Sequence, residues 1–284
     1  MSANLDLSLI LACYNEEPHL AESVREIVEV LERSRLRYEL IFVDDCSGDG
    51  TRRVLTEQVA RLAEEQPHIP VTVLLHEKNR GRGATVRDGM RTARGRVMGF
   101  IDIDLEVHAR YIPDMVRAVD NGFDVATGFR VYHVDGTNLT RHVLSVSYRA
   151  LMRKAIDTHL MDTETGYKFF NRERCLPVVE QTVTDGWFWD TEIMILCERA
   201  GLTVTEIPVA FVRRLDKRST VRVVPDTLDY LKRLVEFRLR LEGGMGPGRK
   251  PAEGTPFAAM TPPADALREG RMFSGARKTV STPS

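Results

Sequence analysis

Five apolar runs separated by amphipathic stretches constrain the fold of this 284-residue chain more than any other feature. Each run is short enough to be a buried strand; they cover residues 7–14, 39–45, 71–75, 97–102 and 124–129. Between the first two, apolar residues recur with the spacing of one helix face, and similar stretches follow the later runs; the first face consists of Leu20, Val24, Ile27, Val28 and Leu31. Strands that alternate with helices of this length predict an α/β fold with a doubly wound, mostly parallel sheet.

Acidic residues follow several of these runs, most densely in the stretch Asp102-Ile103-Asp104 with Glu106 two positions further on. If the backbone stays extended there, the three carboxylates point the same way. Because ligands of doubly wound sheets bind beyond the carboxyl ends of the strands, this edge is the expected site. Like charges repel, so we expect a cation, or a ligand rich in hydroxyl and N–H donors, to offset them.

Composition excludes several classes of protein. The formal net charge of −1 argues against a nucleic-acid binder, which usually has a basic excess. The four cysteines form no C-x-x-C pair, so we expect reduced thiols in a cytoplasmic protein rather than a zinc ribbon or a disulfide framework. The first residues have no basic region typical of a signal peptide, and no apolar run is long enough to span a bilayer.

Residues 243–284 differ from the rest of the chain in composition. They are rich in glycine, proline and small residues without a period, so we expect a flexible, disordered tail. Residues 1–242 are expected to form one domain.

The motifs YNEE, VDDCSGDGT, NRGRGATVRDG and DIDLE occur in this order along the chain. Together they resemble the family 2 glycosyltransferases of the GT-A fold, and within that family the dolichyl- and polyprenyl-phosphate sugar transferases. The resemblance covers residues 7 to about 220. It implies a nucleotide-binding half, about 1–130, and an acceptor-binding half, 131–242. The implied activity is that of a metal-dependent hexosyltransferase that moves a sugar from a UDP- or GDP-sugar to a polyprenyl phosphate, with inversion.

The resemblance also assigns roles to residues of the donor half. Asp102 and Asp104, with Glu106 as a direct or water-mediated ligand, are implied to hold Mg²⁺ or Mn²⁺, hard cations that favour oxygen. Contacts with the nucleotide sugar are implied for Ala12, Tyr14, Glu16, Asp44, Asp45, Gly83, Asp88, Asp102, Ile103 and Arg214. Arg80 and Arg82 are mobile candidates for phosphate contact, and solvated side chains are an equal expectation.

The acceptor half contains TGYKFF, similar to a strand of these enzymes, and WFWDTE, which we expect to open a helix. Asp190 and Glu192 stand where an inverting glycosyltransferase places its general base, and Arg130 is a further catalytic candidate. A hydroxyl acceptor needs that base, whereas a phosphate is already ionised and needs cations around it. Lys168, Arg141 and Arg218 are the acceptor-binding candidates, and the density of basic residues favours phosphate.

Several alternatives remain open from the sequence. One is transfer to the hydroxyl of a soluble small molecule such as a secondary metabolite. Others are a nucleotidyltransferase and a catalytically silent binder of nucleotide sugars. Residues 138–156 and 226–241 both read as amphipathic helices, which either pack on the protein or lie at a membrane interface. A lipid acceptor would favour peripheral contact with the inner face of the membrane. The oligomeric state is left open.

Overall fold

A computed structural model describes residues 5–132, 158–213 and 223–242. The described residues contain a seven-stranded sheet of order β3-β2-β1-β4-β6-β5-β7. Its strands are β1 (Leu7–Cys13), β2 (Tyr38–Asp44), β3 (Val71–Leu75), β4 (Val97–Asp102), β5 (Val125–Tyr132), β6 (Tyr167–Asn171) and β7 (Val204–Phe211). Strand β6 runs antiparallel to both of its neighbours, and the other described pairs are parallel. The mostly parallel α/β sheet is therefore confirmed.

Helices cover both faces of this sheet. They are α1 (Leu20–Ser34), α2 (Thr51–Glu65), α3 (Arg82–Thr92), α4 (Ile112–Asp120), α5 (Arg172–Val179), α6 (Trp189–Arg199) and α7 (Val223–Glu242), with a short 3-10 helix at Ala109–Tyr111. One buried cluster joins the sheet to α1, α2 and α4, and a second joins it to α3, α5, α6 and α7. The doubly wound arrangement follows from this division.

Strand β1 shows why the apolar runs form buried strands. Leu7, Leu9 and Leu11 belong to one cluster, and Ile10, between them, belongs to the other. A strand that is buried on both faces reads as a continuous apolar run, because successive side chains point to opposite sides.

The strand register brings the candidate residues to one edge. Cys13 at the end of β1 pairs with Asp44 at the end of β2, and Ala12 pairs with Asp102 at the end of β4. Strand β6 runs the other way, so the residue before it, Gly166, lies at the same edge, where its carbonyl accepts from the Asp102 amide at 2.9 Å. Residues that are far apart in the sequence therefore meet at this edge.

Some expectations fall outside the described residues or differ from them. A strand was expected at TGYKFF, where β6 lies, but its antiparallel direction was not expected, nor was helix α5, which has Pro177 inside it. The predicted helix 138–156, the tail 243–284, Arg141, Arg214 and Arg218 lie outside the described ranges. The predicted helix 226–241 is part of α7. None of the described helices combines the length and apolar character that crossing a bilayer requires.

Candidate active site

The chain turns sharply after Asp102, so the three carboxylates do not share one extended face. Strand β4 ends at Asp102, and Leu105 adopts the left-handed region with φ of 52°. The Glu106 amide donates to Asp104 Oδ1 at 3.3 Å, and the Glu106 carbonyl accepts from the Val212 amide at 2.8 Å. The extended arrangement expected for this stretch is wrong. Across 5–132, 158–213 and 223–242, no three acidic, histidine or cysteine side chains group closely enough to hold a metal by themselves.

Arg82 lies at the centre of the site. Its Nη1 is 2.5 Å from Asp102 Oδ1, and its Nε donates to Asp190 Oδ2 at 2.8 Å. The guanidinium carbon lies 5.6 Å from the centre of the Phe100 ring and 5.4 Å from that of Trp187. The Arg82 side chain is 13% exposed and is held in place by these contacts. It is therefore neither mobile nor solvated, in contrast to the expectation from the sequence. One arginine therefore links the carboxylate of the D-x-D motif to the general-base candidate.

Lys168 supports Asp190 from inside the protein. Its Nζ lies 3.2 Å from Asp190 Oδ1 and also donates to the carbonyl of Thr165. The side chain has no exposed surface. Burial lowers the pKa of Lys168, although the Asp190 and Asp162 carboxylates favour its charged form. Lys168 was expected to contact the acceptor, but its position indicates that it neutralises Asp190.

Glu192 is two residues from Asp190, but its hydrogen bonds are with a different set of residues. Its buried carboxylate accepts from the amides of Val183 and Thr184, from the Thr184 hydroxyl and from the Arg240 guanidinium. A carboxylate with this many donors holds a loop and a helix together. Of the two general-base candidates, Asp190 is the one that the structure places beside Asp102.

Two glycines make close contacts that a larger residue would prevent. A Cβ on Gly166 would overlap the Asp102 carboxylate and the Arg82 guanidinium. A Cβ on Gly83 would overlap the side chain of Trp189, and the Gly83 amide donates to the Asp185 carbonyl at 2.7 Å. Gly83 was expected to admit a nucleotide. In this structure its lack of a side chain instead makes room for Trp189 and for the segment that leads into α6.

The charge balance around Asp102 is unfavourable to its ionised form. Desolvation raises the pKa of Asp102, and the nearby Asp104 and Asp190 carboxylates add to this effect against the opposing charge of Arg82. The Asp102 side chain is nevertheless 42% exposed, and Asp104 is partly exposed. Two accessible carboxylates with surplus negative charge fit a hard divalent cation that takes its remaining ligands from phosphate and water. Glu106 does not complete a three-carboxylate group with them.

A second network lies at the end of β2. Asp45 accepts from the amides of Arg80 and Gly81, at 2.7 and 2.8 Å, and lies 2.7 Å from Nδ1 of His76. The other ring nitrogen of His76 is 3.3 Å from Asp88, which also pairs with Arg80. Asp45 and Asp88 therefore fix the loop that carries Arg82. Sequence reasoning missed His76, because a histidine after a strand has no distinguishing pattern.

The remaining donor-side candidates line or support the same edge. Asp44 is fully buried and accepts from Arg52 Nε at 2.6 Å. Tyr14 is 41% exposed, so its ring is accessible. Glu16 is buried and its amide donates to the Thr51 hydroxyl. Two further candidates have little accessible side chain: Ala12 is partly buried and Ile103 is in the core.

Arg130 forms an ion pair on the acceptor side. Its Nε and Nη2 donate to the two oxygens of Asp162, at 2.7 and 2.9 Å. Although burial acts to raise it, the Arg130 guanidinium holds the pKa of Asp162 below its usual value. The charge of Arg130 is thus already matched by a buried carboxylate. Its predicted catalytic role stays a prediction.

The sequence suggested that a bound cation or ligand would have to offset the carboxylates at this edge, but some of them already have cationic partners within the protein. The chain supplies cations for several of them, such as Arg52 for Asp44 and Arg82 for Asp102. The glycine-rich loop was the signal for Arg82, whereas nothing in the sequence distinguishes Asp162 or Trp187 as partners.

Comparisons with known proteins support the fold and the chemistry. The model of glycosyl transferase family 2 matches residues 8–176. The chain is 32% identical over 233 residues to glycosyltransferase AglD of Haloferax volcanii, covering 80% of this chain and 36% of that protein. It is 26% identical over 220 residues to a dolichyl-phosphate beta-glucosyltransferase of Dictyostelium discoideum, covering 72% of this chain and 66% of that enzyme. The chain thus spans about a third of the first relative and just under two thirds of the second.

A solved structure shows the same fold. Glucosyl-3-phosphoglycerate synthase of Mycobacterium tuberculosis, in complex with Mn²⁺, UDP and glucosyl-3-phosphoglycerate, has a TM-score of 0.58 and 19% identity, over 89% of this chain and 83% of that one. The GT-A architecture is therefore confirmed. The family match covers more than half of the chain and sets aside the nucleotidyltransferase alternative. This chain belongs to glycosyl transferase family 2.

Proposed function

We propose that this glycosyltransferase moves a sugar from a UDP- or GDP-sugar to the phosphate of a polyprenyl phosphate, with inversion, and that Asp102 and Asp104 hold a divalent cation. The observation that carries the acceptor assignment is the state of Asp190. Its carboxylate is 3% exposed and is bonded to both Arg82 and Lys168. A carboxylate held by two cations is poorly suited to removing a proton from a hydroxyl.

The donor side of the proposal rests on the edge formed by β1, β2 and β4. Asp102 and Asp104 would hold Mg²⁺ or Mn²⁺, and the accessible ring of Tyr14 would pack on the base. The cation would supply Lewis-acid stabilisation of the charge on the departing diphosphate. Arg82, which contacts Asp102, would add a second positive charge beside the diphosphate.

The acceptor side follows from the ionisation of phosphate. A phosphate oxygen carries negative charge at neutral pH and can attack the anomeric carbon without a base. Attack from the side opposite the diphosphate inverts the configuration at that carbon. The name of the Dictyostelium relative, a dolichyl-phosphate beta-glucosyltransferase, supports an acceptor of this class.

Contact with a lipid surface belongs to the same proposal. Leu231, Val235 and Leu239 recur every fourth residue on α7 and are 40%, 58% and 63% exposed. An exposed apolar stripe on a helix that also carries basic residues suits peripheral binding at an interface. Sedimentation with lipid vesicles tests this contact: Val235→Asp with Leu239→Asp should release the protein. Equal sedimentation of the wild type and this variant would contradict it.

A pair of matched acceptors tests the proposal most sharply. The purified chain is incubated with Mn²⁺ and UDP- or GDP-sugars, and with either a short polyprenyl phosphate or the polyprenol of the same length. We expect a glycosylated product with the phosphate and none with the alcohol. Product with the alcohol or with a soluble hydroxyl compound, and none with the phosphate, would contradict the acceptor assignment and restore Asp190 as the base.

A further inference from the structure

We propose that Arg82 is a built-in counter-cation for Asp102. A divalent cation must displace the guanidinium of Arg82 from Asp102, and this guanidinium then binds the diphosphate of the donor. The inference deepens the proposed function and rests on its cation at Asp102. It gives Arg82 a positioning role that couples the binding of the cation to that of the nucleotide.

The contacts of Asp102 indicate that Arg82 occupies an oxygen that a divalent cation would need. Arg82 Nη1 lies 2.5 Å from Oδ1, and Oδ2 faces Gly166, where a Cβ would already overlap it. The carboxylate is 42% exposed, so a cation can reach it from solvent. Any cation that binds Oδ1 must therefore compete with the guanidinium for it.

The contacts of Arg82 carry the second step. Its Nε is bonded to Asp190, so loss of the Asp102 contact leaves the arginine anchored at its other edge. The guanidinium carbon lies over the ring of Phe100, which is 1% exposed, and over the ring of Trp187, which is 46% exposed. The Trp187 ring is thus at the surface, and a shift of this ring would give the guanidinium room to turn.

Charge carries the third step. A divalent cation beside Arg82 is a like charge, and the two repel unless an anion lies between them. A diphosphate supplies that anion and accepts N–H donors from arginine in a bidentate manner. The cation and the nucleotide should therefore bind cooperatively, and the coupling must be the same whichever binds first.

Binding of Mn²⁺ alone, followed by electron paramagnetic resonance of the free ion, tests the inference without turnover. Arg82→Gln should bind Mn²⁺ at least about fivefold more tightly than the wild type, because the competing cation is gone. Arg82→Lys keeps the charge but not the bidentate guanidinium, so its affinity for Mn²⁺ should lie between those of the wild type and Arg82→Gln. Arg61→Gln removes the same charge from a surface pair with Glu65 on α2 and should match the wild type.

A second variant leaves every charged group of the site in place. Trp187→Leu removes the aromatic ring beside the Arg82 guanidinium and should also tighten Mn²⁺ binding, by a smaller factor than Arg82→Gln does. Adding it to Arg82→Gln should bring no further gain, because both changes act through the same guanidinium. Thermal unfolding of each variant checks that it is folded.

The nucleotide provides the complementary readout. In the wild type, UDP or GDP should tighten Mn²⁺ binding, and in Arg82→Gln this coupling factor should fall at least about fivefold. Unchanged or weaker Mn²⁺ binding by folded Arg82→Gln and Trp187→Leu would overturn the inference alone. Absence of Mn²⁺ binding by the wild type, or equal binding by Asp102→Asn, would overturn the metal site of the proposed function as well.

Discussion

Gly166 occupies a position where the absence of a side chain decides the geometry of the site. A methyl group at this position would overlap the Asp102 carboxylate and the Arg82 guanidinium. We expect Gly166→Ala to lower kcat/KM by about 100-fold, because displacement of a site residue by about an ångström has this effect. Steady-state kinetics with the preferred donor measures it.

Gly186 provides the matched control for this substitution. It lies in the loop that flanks the same site, and a Cβ there would meet nothing within 4 Å. Gly186→Ala should retain its rate within about threefold, a change of under 1 kcal/mol in the barrier. Equal losses in the two variants would show that the overlap at Gly166 is not the cause.

Asp162 should contribute to stability in a way that depends on pH. Its pKa is lower in the folded protein than the ordinary value of 3.8, so the unfolded chain binds more protons in this range. Its contribution is therefore complete above about pH 4 and is lost as the pH falls through the folded pKa. Urea unfolding at about pH 6 and about pH 3 should show a larger loss for the wild type than for Asp162→Asn. Equal losses would rule out this linkage.

At this scale the sequence indicates which residues matter better than it indicates what they contact. The position of Asp102 at a strand end follows from the apolar run before it. The contact with Arg82 does not, because it depends on how the loop before α3 packs against residues 185–189. The burial of Lys168 likewise depends on β6 lying between β4 and β5.

Helix α6 begins beside the site and carries both general-base candidates in its first turn. Glu192 accepts from the loop at Val183 and Thr184 and from Arg240 of α7, so it connects three segments. The exposed fraction of its side chain is 0%, which leaves no route to a substrate in this arrangement. Of the two acids in the first turn of α6, Asp190 therefore lies at the site, whereas Glu192 holds together the segments that support it.

Glu192→Gln separates these two roles. It keeps the shape of the side chain but weakens several charge-assisted hydrogen bonds, each of which is worth about 1.5–3 kcal/mol. We expect the free energy of unfolding to fall by about 2 kcal/mol, with kcat per folded molecule unchanged within about threefold. Urea denaturation and initial rates on the same preparation measure both quantities. A loss of kcat by about 100-fold or more with unchanged stability would instead identify Glu192 as the base.

Elements with a clear apolar period were predictable, and those set by tertiary contacts were not. Strands β1 to β4 lie within one residue of the predicted runs, and the apolar face predicted from Leu20 to Leu31 lies in α1. The turn after Asp102 was missed because non-glycine residues seldom adopt the left-handed region that Leu105 occupies. The direction of β6 was missed because the residue pattern of a short strand does not indicate which way it runs in the sheet.

For the whole molecule, the alternation of strands and helices was sufficient to predict a doubly wound sheet with its site beyond the carboxyl ends of the strands. The same rule gave the location of the donor residues. The charge balance at that edge needed the coordinates, because Arg82, Asp102, Lys168 and Asp190 come from four elements. The acceptor depends on groups of which several lie outside the described residues.

The measurement that tests the central claim most directly is sugar transfer before and after removal of divalent cations. We expect EDTA to abolish product formation and a molar excess of Mn²⁺ or Mg²⁺ to restore it, with Asp102→Asn inactive under both conditions. Full activity in the presence of the chelator, or an active Asp102→Asn variant, would contradict a cation held at the end of β4.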